Sequence, residues 1–136
     1  MTALQLIYIY LLTIPAFFFV DMLWLGLVAT KFYKSQIGFL LGPVNWVAAI
    51  IFYLLYIVGI IIFAVHPALV SGSLGKVALL GALFGFFAYA TYDLTNLATV
   101  KDWPLLVTIV DIVWGTVLTG TVAALSYILA KTFVLS

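Results

Sequence analysis

Four long apolar stretches dominate this chain and leave few folds open to it. They cover about residues 4–28, 44–65, 77–100 and 104–130, which together are about 98 of the 136 residues. Each is close to or above the ~20 apolar residues that cross a bilayer as a helix. Backbone groups in hydrocarbon must be hydrogen-bonded internally, and these continuous runs are too long for barrel strands. The expected fold is therefore all-α, a four-helix transmembrane bundle with short loops that forms a single transmembrane domain over residues 1–136.

Composition supports a membrane setting and excludes several classes of function. The chain is 68% hydrophobic and 7% charged, whereas roughly a quarter of a soluble domain is charged. A net charge of +1 without any arginine argues against a nucleic-acid partner. The absence of cysteine excludes thiolate chemistry. A single histidine cannot build a His-rich metal centre, and no spacing matches a metal motif, so we expect neither a metal nor a cofactor.

The three connections differ in character. Residues 31–43 form the longest, and their basic start and apolar end could form a short interfacial helix. His66–Lys76 contains the Pro, Gly and Ser of an ordinary turn. The connection at residues 101–104 is very tight, with Asp102 as a plausible N-cap and Pro104 in the first helical turn. The last two helices are therefore expected to form an antiparallel hairpin.

The lysines give a weak indication of orientation. Four crossings put both termini on one side of the membrane, the terminal face, and the first and third connections on the other, the loop face. The loop face carries Lys31, Lys34 and Lys101, and the terminal face carries Lys76 and Lys131. The positive-inside rule then favours a cytoplasmic loop face.

Three aspartates interrupt the apolar stretches at nearly one depth. At 1.5 Å per residue, Asp21, Asp93 and Asp111 lie roughly 7–9 Å from the midplane, all towards the loop face. No lysine, arginine or histidine lies at that depth. A carboxylate in the bilayer indicates a functional site by default. The three cannot all stay ionised in a low dielectric, so they share protons or meet a cation or amine that enters from outside.

Polar and aromatic side chains accompany each aspartate on its helical face. Residues three and four positions apart share a face, and the pattern Val-Asp-x-x-Trp occurs at both Asp21 and Asp111. If these faces turn inward, they enclose a cavity with an acidic floor and aromatic walls that opens towards the loop face. The expected ligand-binding residues are Asp21, Trp24, Tyr89, Tyr92, Asp93, Asn96, Asp111 and Trp114.

A purely structural role for the aspartates is the competing interpretation. A buried carboxyl can join helices, but such hydrogen bonds average only about 0.6 kcal/mol in membranes. An aspartate at the centre of a membrane helix costs about 2.5–3.5 kcal/mol on insertion scales. The bonds recover that cost poorly, and the set of three therefore favours function.

Three hypotheses of function remain open. In the first, the cavity binds, and in a stronger form transports, a small cation, amine or polar-headed lipid, with transport requiring a homodimer because four helices are few for a permeation path. In the second, the protein is an intramembrane enzyme in which aspartates supply acid and base to a lipid or isoprenoid. In the third, it is a non-catalytic subunit of a larger membrane complex.

Five segments resemble one known family over nearly the whole chain. They are residues 17–26, 32–38, 85–99, 101–104 and 110–115. The third segment includes the sequence Tyr-Asp-Leu-Thr-Asn-Leu-Ala. The chain is similar to small bacterial predicted membrane proteins grouped as domain of unknown function 2177. The resemblance implies a multi-pass protein of the bacterial cytoplasmic membrane and no particular activity. The matching motif positions include Asp21, Trp24, Tyr92, Asp93, Asn96, Asp102, Trp103, Asp111, Trp114 and Gly115.

Overall fold

Four helices long and apolar enough to cross a membrane make up the fold, which confirms the predicted all-α bundle. A computed structural model describes residues 1–136 and contains no strand. The helices are α1 (Ala3–Leu40), α2 (Trp46–Ser71), α3 (Leu74–Thr99) and α4 (Leu105–Val134).

Helix α1 is longer than expected and includes much of the predicted first connection. It passes through a π-helical turn at Leu25–Ala29 and continues as α-helix over Thr30–Ile37. No proline or glycine interrupts residues 27–37, so nothing ends the helix before Gly38. A straight helix of 38 residues would be about 57 Å long, nearly twice the ~30 Å hydrocarbon core.

Helix α2 also continues beyond its predicted end. The expected turn at His66–Lys76 is wrong in its first half, because His66 and Pro67 lie inside the helix. A π-helical turn at Ile61–Val65 directly precedes them. This wider turn accommodates a proline, which cannot donate a backbone hydrogen bond and crowds the preceding turn. The chain reverses only at Gly72 and Ser73.

The tight connection between α3 and α4 has a different geometry from the predicted cap. Asp102 does not cap α4, because it adopts a left-handed conformation with φ of 60°. Aspartate tolerates that conformation better than most residues. Pro104 stands at the N-cap, without a side-chain hydrogen bond, and the helix begins at Leu105.

Helices α3 and α4 pack closely in antiparallel register through small residues. From one pair of facing residues to the next, the residue number rises by four in α3 and falls by four in α4. Gly81 and Gly85 lie at this contact, and a Cβ at Gly81 would lie 2.6 Å from that of Ala123. The facing pairs are Gly81 with Ala123, Gly85 with Thr119, and Tyr89 with Gly115.

Polar side chains connect the other two helices to this hairpin. The Thr13 hydroxyl of α1 lies 2.6 Å from that of Ser126 of α4. The Tyr56 hydroxyl of α2 lies 2.7 Å from that of Thr119 of α4. All four side chains are buried, so these bonds form where no water competes for them.

Helix α2 separates from α3 in the half of the bundle near the loop face. Most of its backbone contacts with α3 come through the π-helical turn Ile61–Val65 and the segment His66–Ser71, in the other half, although the Tyr56 ring already stacks on Phe84 of α3. Near its start, Trp46 and Val47 are about two-thirds exposed, at 66% and 71%. The separation leaves an open space between α2 and α3 at the depth of the aspartates.

We predict that the α3–α4 contact does not tolerate even one added carbon. A Cβ at Gly85 would collide with the Gly115 carbonyl and lie 2.6 Å from the Thr119 side chain. Gly85→Ala should therefore destabilise the protein by about 1–3 kcal/mol, the usual cost of overpacking. Gly26→Ala is the matched control, because a Cβ there meets nothing within 4 Å. Thermal unfolding in detergent measures both variants, and equal midpoints would contradict the close contact.

Candidate functional site

The register of α3 and α4 brings two aspartates face to face. One further step of four residues beyond Tyr89 and Gly115 leads to Asp93 and Asp111, whose carboxyls lie within reach of a side-chain hydrogen bond. Asp93 is 0% exposed. Neither of its carboxyl oxygens accepts a hydrogen bond from any donor. The Asp111 carboxyl is the one side-chain group within hydrogen-bond reach of the Asp93 carboxyl.

Tyr33 supplies a hydrogen bond to the second aspartate of this pair. Its hydroxyl donates to Asp111 Oδ1 over 2.6 Å, across 78 positions of sequence. The sequence does not predict Tyr33 at this site, because its segment, residues 31–43, has the pattern of a connection. The available signal is the four-residue spacing of Ala29, Tyr33 and Ile37, which gives one helical face. Ala29 and Ile37 are buried, so this face lies against the bundle.

Asp21 lies on the α1 side of the same region. It is 7% exposed. The Tyr53 hydroxyl of α2 and the Trp114 indole of α4 are within side-chain hydrogen-bond reach of its carboxyl. Tyr53 also lies outside the predicted set. Its place beside Asp21 shows that α2, which carries no charged residue, contributes polar groups to the cluster.

The two Val-Asp-x-x-Trp segments meet through their tryptophans. The Trp24 and Trp114 rings stack with centroids 4.6 Å apart and planes 11° from parallel. The buried Trp24 Nε1 has no hydrogen-bond acceptor at bonding distance, although the Tyr33 hydroxyl lies nearby. The stack fixes α1 against α4 one turn from Asp21 and Asp111.

An aromatic cavity of about 400 Å³ lies between α2 and α3. Phe52 and Tyr92 at its rim are more than half exposed, at 51% and 57%. Both belong to membrane-spanning helices, so this rim lies at the side of the bundle. Asp111 is its only charged residue. The lining residues are Phe52, Tyr56, Ala88, Tyr89, Tyr92 and Asp111.

The predicted site residues divide into a compact cluster and a periphery. Asp93 and Asp21 belong to the cluster but do not line the cavity. Tyr92 stands at the rim, with its ring 5.9 Å from that of Trp103. Asn96 lies beside the Tyr92 hydroxyl and does not line the cavity. The members of the cluster are Asp21, Trp24, Tyr89, Asp93, Asp111 and Trp114.

No basic side chain balances the cluster. The hydrogen-bonding and charged side chains around the Asp21 and Asp93 carboxyls include no lysine and no histidine. The three carboxyls are not grouped closely enough to hold a metal ion together. The cluster can therefore bind protons, or a cationic group that reaches Asp111 through the cavity.

The helices and their composition define a multi-pass α-helical membrane protein, whose apolar outer surface contacts the lipid bilayer. The chain belongs to the family described as predicted membrane protein DUF2177, whose model matches residues 6–128. This match confirms the resemblance seen in the sequence. No curated protein and no solved structure matches the chain.

We predict that the Tyr33 hydroxyl stabilises the fold through Asp111. Hydrogen bonds to charged groups contribute about 1.5–3 kcal/mol, so Tyr33→Phe should lower the thermal midpoint in detergent. Tyr8→Phe is the control, because Tyr8 is half exposed on the outside of α1. If the two variants unfold at the same temperature, the hydrogen bond from the Tyr33 hydroxyl to Asp111 does not stabilise the fold.

Proposed function

We propose that this protein binds an amphiphile with a cationic or polar head in the cavity between α2 and α3. The observation that carries the proposal is an aromatic space, open at the side of the bundle, that ends at one carboxylate, Asp111. Its volume of about 400 Å³ lies within the ~300–1,000 Å³ of small-molecule sites.

The side entrance favours a lipid-like ligand over a water-soluble ion. A hydrated ion would have to cross hydrocarbon to reach the rim at Phe52 and Tyr92, whereas an amphiphile is already there. An ammonium head group reaching Asp111 would meet an opposite charge in a low dielectric. The rings of Tyr56 and Tyr89 would add cation–π attraction, and the hydrocarbon tail would remain among apolar side chains and lipid.

Binding of this kind is the first step of carrier function, and we extend the proposal to its setting. The bacterial cytoplasmic membrane, with the loop face in the cytoplasm, agrees with the family resemblance and with three lysines on that face against two on the other. Movement of the ligand across the bilayer would require a homodimer or larger assembly, because four helices leave little room for a complete path.

Catalysis is the second candidate, and the facing carboxyls favour it specifically. Two carboxyl groups that share a proton can act as acid and base at one centre, as in other acid–base sites. Asp93 and Asp111 lie close enough to each other for such a relation. Conversion of a bound lipid by the pure protein, lost in either aspartate variant, would distinguish an enzyme from a binding protein.

We predict that charge neutralisation at Asp111 abolishes selective binding. A long-chain primary amine that carries a photoactivatable tail serves as the probe, in lipid nanodiscs, and the uncharged long-chain alcohol with the same tail serves for comparison. The wild-type protein should be labelled near Phe52, Tyr56 and Tyr92 by the amine. Asp111→Asn should weaken amine binding about tenfold or more, the equivalent of ~1.4 kcal/mol.

Asp102→Asn is the matched control for this experiment. It removes the same charge from the exposed turn, where asparagine also tolerates the left-handed conformation, and should leave labelling unchanged. Equal labelling of the wild-type protein and Asp111→Asn, or labelling spread evenly over the outer surfaces of the helices, would refute the proposed site.

A further inference from the structure

We infer that Asp93 and Asp111 hold one proton between them, with Asp93 as a neutral acid that donates to the Asp111 carboxylate. The pair then presents a single negative charge to the cavity, and the site selects a head group with one positive charge. The first half of this inference concerns the empty protein. The second half rests on the proposed function.

The surroundings of Asp93 require the proton. Its carboxyl is completely buried, and no N–H or O–H donor reaches either oxygen. An ionised carboxylate without donors in a membrane interior is among the costliest arrangements in a protein. Its polar neighbour is another carboxyl, and two facing carboxyls form a hydrogen bond only when one of them is protonated.

The surroundings of Asp111 identify it as the ionised partner. It already accepts the Tyr33 hydroxyl at Oδ1, and a protonated Asp93 would be its second donor. Hydrogen bonds to the charged form stabilise that form. Asp111 is also the member of the pair that lines the cavity, so its charge can be met by a ligand. Asp93 therefore acts as a positioning residue behind it.

The remaining titratable groups near the pair are acidic or phenolic. None of them can neutralise Asp111, so a bound cation would be its only counter-charge. Helix α1 contributes Tyr33 and Asp21, helix α2 contributes Tyr53 and Tyr56, and helix α3 contributes Tyr89 and Tyr92.

One charge on the pair gives a definite selectivity. A head group with one ammonium makes the pair and ligand neutral, which a low-dielectric site favours. A head group with two ammonium groups leaves an uncompensated positive charge beside hydrocarbon, and an uncharged one leaves Asp111 unbalanced. We therefore expect a long-chain monoamine to bind more tightly than two molecules with the same tail: one with two ammonium groups in its head group, and the uncharged alcohol.

Infrared difference spectroscopy of the ligand-free protein tests the proton directly. The wild-type spectrum minus that of Asp93→Asn, both at neutral pH, should show the carbonyl band of a protonated carboxyl. The wild-type spectrum minus that of Asp111→Asn should show carboxylate bands. Asp21→Asn provides a third difference spectrum, which identifies any contribution from Asp21. Carboxylate bands in the Asp93 difference spectrum would overturn the inference, whether or not the protein binds amines.

Amine binding in nanodiscs tests the positioning role. Asp93→Asn keeps an N–H donor beside Asp111 and should retain affinity, whereas Asp93→Leu removes the donor and should weaken binding about tenfold. Equal losses in the two variants would contradict the role of Asp93 as a donor. If the wild-type protein binds no amine while the infrared result stands, the proposed function fails and the shared proton remains.

Discussion

The close contact between α3 and α4 is the constraint on which the rest of this structure depends. Glycines at positions 81, 85 and 115 let the two backbones approach closely. At this short distance, the side chains one turn farther along the two helices face each other. The step of four residues that seats Tyr89 on Gly115 also brings Asp93 to Asp111. In hydrocarbon, helices gain little from apolar contact with each other, because lipid is equally apolar, so close packing and buried polar bonds determine the arrangement.

Helices α1 and α2 depart from regular α-helical geometry on both sides of this hairpin, and the site depends on those departures. In α1, the π-helical turn Leu25–Ala29 leads into the segment that carries Tyr33 to Asp111. In α2, the π-helical turn Ile61–Val65 provides much of the contact with α3, while the backbone of the first half of the helix lies farther from α3. π-Helical turns often occur at functional sites. Here one precedes the α-helical segment that carries Tyr33, and the other follows the cavity residues Phe52 and Tyr56 in α2.

Hydropathy and the rise of 1.5 Å per residue predict the bundle and the shared depth of the aspartates. They do not reveal Tyr33, because Lys31 and Lys34 beside it indicate a connection. Their exposure is compatible with a helix that buries only Ala29 and Ile37. The side entrance was also beyond prediction. Periodicity identifies which residues share a face, whereas the separation of α2 from α3 is a property of tertiary packing.

The unequal surroundings of the three aspartates explain how one chain can keep them all in a bilayer. Insertion costs of about 2.5–3.5 kcal/mol each apply to isolated carboxylates at the centre of a membrane helix. Asp111 has a phenol donor, and Asp21 has a phenol and an indole within reach. Asp93 has no such donor, but a proton shared with Asp111 removes its charge altogether. Under that assignment, the least solvated of the three is neutral, and the one that borders the cavity keeps the charge that a ligand can neutralise. The free-energy cost of burial is then lowest for neutral Asp93, which no ligand reaches. It is highest for ionised Asp111, whose charge a bound cation can offset.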